Sequence, residues 1–101
     1  MTNVSFLNFL GLAMRAGKVK SGESVILTEI KKQRLHLVLI ANDASDNTKK
    51  TLTNKCKSYQ IPYRIVSNRY ELGDAVGKKV RVNIGITDQG FARKLMSMID
   101  E

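Results

Sequence analysis

The sequence predicts an α/β fold, a three-layer α/β/α domain with about four strands. Segments with apolar residues at helical spacing alternate with short strand-like segments along the whole chain. His36-Leu37-Val38-Leu39-Ile40-Ala41 is a continuous apolar run of strand length, which suits a central strand covered on both faces. The chain has 101 residues, 43% of them hydrophobic, which fits one domain, residues 1–101, with one packed core. Aromatic residues are only 6% and Trp is absent, so that core must be aliphatic.

The elements follow in order. Phe6, Leu10, Ala13 and Met14 predict a helix from Ser5, its N-cap, to Arg15, with Gly17 as the stop. Lys18 to Ser21 alternates and reads as an edge strand. Gly22 opens a second helix that turns Ile26, Leu27 and Ile30 to the core and ends near Gln33. After the apolar strand, Asn42 to Ser45 is a loop with capping chemistry. Leu52, Cys56 and Tyr59 mark a third helix, from about Asp46 to Tyr59, which Ile61-Pro62 breaks. Tyr63 to Val66 reads as a strand and Arg69 to Val76 as a short helix ended by Gly77. Val80, Val82, Ile84 and Ile86 alternate with Arg81, Asn83 and Gly85, the period of a strand. Asp88 caps a last helix with Phe91, Leu95, Met98 and Ile99 on its core face.

Composition narrows the function. Seventeen Lys and Arg against nine Asp and Glu give a net charge of +8. Such an excess fits an acidic partner, whether nucleic acid, a membrane surface or an acidic protein, or serves solubility alone. Cys56 and His36 are the single cysteine and histidine, so no zinc-ligand set and no internal disulfide are expected. No Ser-His-Asp set or Gly-rich phosphate loop is recognisable. The expectation is a non-enzymatic protein with no cofactor and no metal; the enzymatic alternative would have to use Asp43 or Asp88. Asn3 to Ala16 is amphipathic rather than signal-like, and no apolar run approaches the ~20 residues of a membrane span. A cytoplasmic monomer without membrane attachment is expected.

Three basic, turn-like segments carry the chemistry. In Lys18-Val19-Lys20-Ser21-Gly22, a glycine lets backbone approach a partner just where a helix N-terminus presents N–H groups. Val25, in that helix's first turn, either joins the core or packs on a base. Asn42 and Asp43 open a second segment, in which Lys49 and Lys50 sit near a helix start, where the dipole gives cations nothing. An external anion or simple solvation explains them. In Gly77-Lys78-Lys79-Val80-Arg81, three cations surround one valine, a compact loop on which bases from a bulge could lie while the cations hold phosphates.

In this order the segments resemble the kink-turn-binding ribosomal-protein superfamily, and in particular its small bacterial YlxQ-like branch. The resemblance covers nearly the whole chain. It is carried by Phe9-Leu10-Gly11-Leu12-Ala13, Arg15-Ala16-Gly17-Lys18, Ser21-Gly22 and the run Leu37 to Ser45. Asn47-Thr48-Lys49-Lys50, Leu72 to Lys78, Arg81-Val82 and Thr87 to Ala92 complete it.

The resemblance implies a sandwich around a four-stranded mixed sheet. It also implies binding to kinked stem–bulge–stem RNA with sheared G·A pairs, in ribosomal or another structural RNA, with ribosome association. In such proteins the start of the second helix enters the RNA groove and a loop corresponding to Gly77 through Arg81 cradles the bulge. Ser21, Gly22 and Asn42 border that surface. Archaeal and eukaryotic branches often carry Gly-x-Asn-Glu-x-x-Lys at the second helix; here Gly22 is kept, with Ser24, Val25 and Thr28 at the other positions. Ser24 can still bond a base edge, Val25 cannot, and Thr28 carries no charge. The expected mechanism is phosphate neutralisation by Lys18, Lys20, Lys78, Lys79 and Arg81, with polar readout by Ser24 and Thr28. The alternative is a protein-interaction module of the same fold that binds an acidic protein.

Overall fold

A computed structural model describes residues 4–101. The element order is α1 (Val4–Arg15), β1 (Val19–Ser21), α2 (Glu23–Lys31), β2 (Leu37–Ala41), α3 (Asp46–Ser58), β3 (Tyr63–Val66), α4 (Arg69–Ala75), β4 (Asn83–Ile86) and α5 (Gln89–Ile99). The four strands form one mixed sheet in the order β1-β4-β2-β3. β4 runs antiparallel to both β1 and β2, whereas β3 lies parallel to β2.

β2 is interior and buried along its full length, as its unbroken apolar run predicts. Its alternate residues feed two cores. Leu37, Leu39 and Ala41 pack with Phe6, Leu10, Leu72 and Leu95 beneath α1, α4 and α5. Val38 and Ile40 pack with Ile26, Ile30, Leu52 and Cys56 beneath α2 and α3. Helices therefore cover both faces, which is the three-layer sandwich.

Two expectations need correction. Ser5 is not the N-cap of α1, because the helix already includes Val4. Val80 to Val82 does not belong to the last strand, which is confined to Asn83–Ile86. The Arg81 amide donates to the Arg69 carbonyl (3.0 Å), so this stretch is tied to the start of α4. The alternation in β4 is also not between inside and outside, since all four residues are buried. It separates large side chains on one face from Asn83 and Gly85 on the other. A Cβ on Gly85 would lie 2.7 Å from Ile26 Cδ1 and 2.8 Å from a Leu35 methyl, so a bare backbone here lets α2 pack close.

Candidate nucleic-acid interface

The topology brings distant segments to one end of the sheet. Because β1, β2 and β3 run the same way and β4 opposes them, the first three finish where β4 begins. Gly22, Asn42, Ser67 and the residues leading into Asn83 thus meet at this end. The helices α2 and α3 start there, with their N–H groups and the positive ends of their dipoles facing outward.

Side chains lock the loops together. Asn83, only 2% exposed, accepts a hydrogen bond at its Oδ1 from the Gly22 amide (2.9 Å), across 61 positions of sequence. Gly22 adopts φ 101°, ψ 133° as the N-cap of α2, a left-handed region costly for residues with a Cβ, and has no side chain of its own to cap the helix. Arg81 donates from Nε to Ser21 Oγ (3.0 Å) and from Nη1 to the Val80 carbonyl (2.6 Å). Arg69 holds Asp43: its amide reaches Oδ1 (2.9 Å), its Nε reaches Oδ2 (3.2 Å), and its Nη2 donates to the Asp43 carbonyl. Thr48 Oγ1 donates to Glu23 Oε1 (3.1 Å), tying the start of α3 to the start of α2.

The result is a groove between the start of α2 and the segment before β4, lined by Ser21, Gly22, Glu23, Val80, Arg81 and Asn83. Beside it, Ser24, Val25 and Thr28 line a shallower depression on α2. Ser24 and Thr28 are both exposed, as their four-residue spacing on one helix face predicts. Val25 does not join the core: it is 43% exposed, and Val80 across the groove is 36% exposed. Lys20, Lys78 and Lys79 are exposed, and Asn42 is exposed at the end of β2. Lys49 is half-buried in the first turn of α3, next to Thr48.

Lys18 lies apart from this group. Its carbonyl accepts from the Thr87 amide (2.9 Å), beyond the opposite end of β4. At ~3.3 Å per strand residue, Lys18 sits about 10 Å back from Ser21. Asp43 is at the site end, but its carboxylate is already engaged by Arg69.

Three positioning residues stand outside the segments the sequence marks as functional. Asn83 looked like the polar half of an alternating strand; the available signal was a polar residue in a strand that must be flanked on both sides. Arg69 looked like the first residue of a helix. Gly73 is buried in α4, and a Cβ there would come within 2.8 Å of the Lys79 carbonyl group and the Val80 amide nitrogen. Its missing side chain is what seats the Lys78–Val80 backbone on α4. Gly77, at φ 75°, turns the chain out of the helix, and the Lys78 amide donates back to the Gly73 carbonyl (2.8 Å).

Cys56 has no place in this surface. Burial pushes its thiol up to about 11, so it remains a neutral core group. Among the described residues no group of His, Cys, Asp and Glu is placed to hold a metal ion, and no helix is long and apolar enough to cross a membrane.

Comparison with known proteins agrees with this architecture. The family model described as "Ribosomal protein L7Ae/L30e/S12e/Gadd45 family" matches residues 5–96. The RNA-binding protein YlxQ of Bacillus subtilis is 48% identical over 100 residues, covering 99% of this chain and all of that protein. The large ribosomal subunit protein eL8 of Thermoplasma volcanium is 29% identical over 94 residues, covering 92% of this chain and 78% of that one. Among solved structures, a Bacillus halodurans protein of unknown function superposes with a TM-score of 0.93 at 47% identity, over 95% of this chain and 97% of that one. The 15.5 kD RNA binding protein of Giardia lamblia shares the fold, with a TM-score of 0.82 at 20% identity, over 96% of this chain and 86% of that one. The chain therefore belongs to the L7Ae/L30e/S12e/Gadd45 ribosomal-protein family, a family of ribosomal proteins rather than enzymes, and to its YlxQ-like branch.

Proposed function

We propose that this protein binds structured RNA, and that its target is a kinked stem–bulge–stem element of the kink-turn kind in ribosomal or ribosome-associated RNA. The observation that carries this reading is the joining of the α2 N-terminus to the basic segment before β4, through Gly22–Asn83 and Ser21–Arg81. Those two bonds hold a helix start and a cationic loop on either side of one groove. The names of relatives, an RNA-binding protein at 48% identity and ribosomal proteins beyond it, support an RNA partner.

The chemistry follows from the residues. Lys20, Lys78 and Lys79 supply point charges for phosphates, and Arg81 holds the groove while facing the same partner. The N–H groups at the start of α2, which no side chain caps, donate to an anion or to a base-edge acceptor. Ser24 and Thr28 offer hydroxyls to base edges, and Val25 and Val80 offer apolar contact to bases splayed from the bulge. The protein acts as a cytoplasmic monomer that clamps a bend.

The test is a titration with a stem–bulge–stem RNA containing tandem G·A pairs, beside a fully paired duplex of equal length. With Lys18 set apart, four cations remain, so log affinity should fall with log salt at a slope of about −2.8 to −3.6. Equal affinity for the two RNAs would sink the kinked-RNA reading. Tighter binding to an acidic polypeptide than to either RNA would favour the protein-interaction alternative.

A further inference from the structure

We infer that the far end of the sheet carries a second surface, for the phosphate backbone of RNA that flanks the kinked element. The inference rests on the RNA reading above and extends it to a part of the molecule that reading does not use.

The far end is where α2 and α3 finish and β2 and β3 begin. Lys31 and Lys32 close α2, Arg34 follows, and Lys55 and Lys57 occupy the last turn of α3. Arg93, near the start of α5, faces the same region, because it shares a groove with residues of both connections. Two carboxylates near these cations are engaged. Glu29 lies 3.8 Å from Arg34, and Asp88 accepts from the Phe91 amide (2.9 Å) as the cap of α5. The site end differs, since Glu23, Asp43, Asp46 and Glu71 are interleaved with its cations.

Helix dipoles explain part of the far-end charge, because cations in the last turn of α2 and α3 oppose the negative helix ends. They do not explain Arg93. It sits in the second turn of α5, where the nearer helix end repels a cation, and it is exposed. The groove it lines is mixed: His36, Gln60, Gln89 and Arg93 border it, with Ile61 and Met96 among its apolar lining. Gln60 keeps a left-handed φ of 57° just after α3, where glycine would be the easier residue. A glycine there would have no side-chain carboxamide to present to the groove. Apolar surface edged by amides suits a base, while Arg93 in its lining and the cations at the ends of α2 and α3, at the same end of the sheet, suit the phosphates on either side.

The experiment compares the wild type with Lys57→Glu/Arg93→Glu, both at exposed positions, after melting curves show equal stability. The probes are a minimal stem–bulge–stem RNA, the same RNA with a single-stranded tail of about twelve uridines, and the uridine 12-mer alone. The wild type should bind the tailed RNA at least about tenfold tighter than the minimal one. Its salt slope should be steeper by about 1.4 units if two phosphates are met. The double variant should bind the minimal RNA normally and gain nothing from the tail. A tail that adds nothing in the wild type, or adds as much in the variant, overturns the second surface and leaves the proposed function intact. Failure of the wild type to bind the minimal RNA overturns the proposed function instead. In that event the second surface stands only if binding of the 12-mer is lost in the variant. Polyglutamate bound in preference to the 12-mer would assign the far end to an acidic protein and overturn the inference.

Discussion

At the site end of the sheet, side chains from segments 25 to 61 positions apart hold the loops: Thr48 with Glu23, Arg69 with Asp43, Arg81 with Ser21 and Asn83 with Gly22. At the far end the connections are closed largely by backbone bonds. The Thr87 amide meets the Lys18 carbonyl, the His36 amide meets the Ile86 carbonyl, and the Ile61 amide folds back onto Cys56. Among the described residues, the side-chain bonds that close these connections are local, as in the Asp88 cap of α5. The contrast is physical. Backbone closure needs only helix ends and strand starts, which any sequence with the right caps provides. Long-range side-chain bonds fix one loop against another and so hold a surface in shape before a partner arrives, which lowers the entropy cost of binding.

The largest expected effect comes from filling the contact that seats the basic loop. Gly73→Ala pushes a methyl group into the Lys79–Val80 backbone, which cannot yield as a flexible side chain would. A loss of about 3 kcal/mol is expected, at the upper end for forced overpacking, together with weaker RNA binding than in Lys78→Ala. Denaturant melts and RNA titrations check both. A fully stable Gly73→Ala protein would mean that the loop is free to move and the site end is not pre-set.

Asn83→Ala comes next. It leaves the Gly22 amide without its acceptor at the edge of the core, at a cost of about 2 kcal/mol. For a domain of this size that lowers the melting temperature by roughly 8–16 °C. Loss of RNA affinity in conditions where the variant is still folded would show that the bond sets the groove as well as the stability.

Thr28→Lys should tighten binding to a kink-turn RNA by about 1 kcal/mol, since the new ammonium extends from an exposed position on the proposed RNA face. Folding should change by only a few tenths of a kcal/mol. Lys forms helix better than Thr, but the new charge sits four residues from Lys32. Unchanged affinity would show that this face of α2 stays out of the RNA groove.

The smallest effect belongs to the flank of the sheet, where Arg64 donates from Nε and Nη2 to the two carboxylate oxygens of Asp100, each at 2.8 Å. Those bonds hold the Asp100 carboxyl below the usual range. A depressed carboxyl contributes stability above its unfolded value, near pH 4, and loses it as pH falls through the folded value. Asp100→Asn should therefore slightly flatten the acid limb of a stability-versus-pH curve and leave RNA binding unaltered. Because the carboxyl is open to solvent, the change should be small.

Most of the fold was legible because it rests on local signals. The β2 run suited a central strand covered on both faces, and Phe6, Leu10 and Ala13 spelled the inner face of α1. The proposed site was legible in its exposed parts, where Ser24, Thr28, Lys78 and Lys79 stand out by charge, spacing or position after a glycine and lie on the surface. Its supports were not. Asn83 and Gly73 matter for what reaches them from 61 positions earlier and from 6 positions later, and neither partner is visible before the chain folds. Lys18 stands only two residues before Lys20 in sequence, but β1 sets it about 10 Å back from Ser21, toward the other end of the sheet.

The proposed contact is between the RNA backbone and the site end, in particular the loop after α4. Its most direct test is the salt dependence of stem–bulge–stem RNA binding by the wild type and by Lys78→Ala/Lys79→Ala. If each lysine neutralises one phosphate, the log–log slope flattens by about 1.4 to 1.8 units in the double variant, while Lys18→Ala leaves it unchanged. A slope unaltered by the loss of Lys78 and Lys79, in a protein that still binds the RNA, would contradict the account.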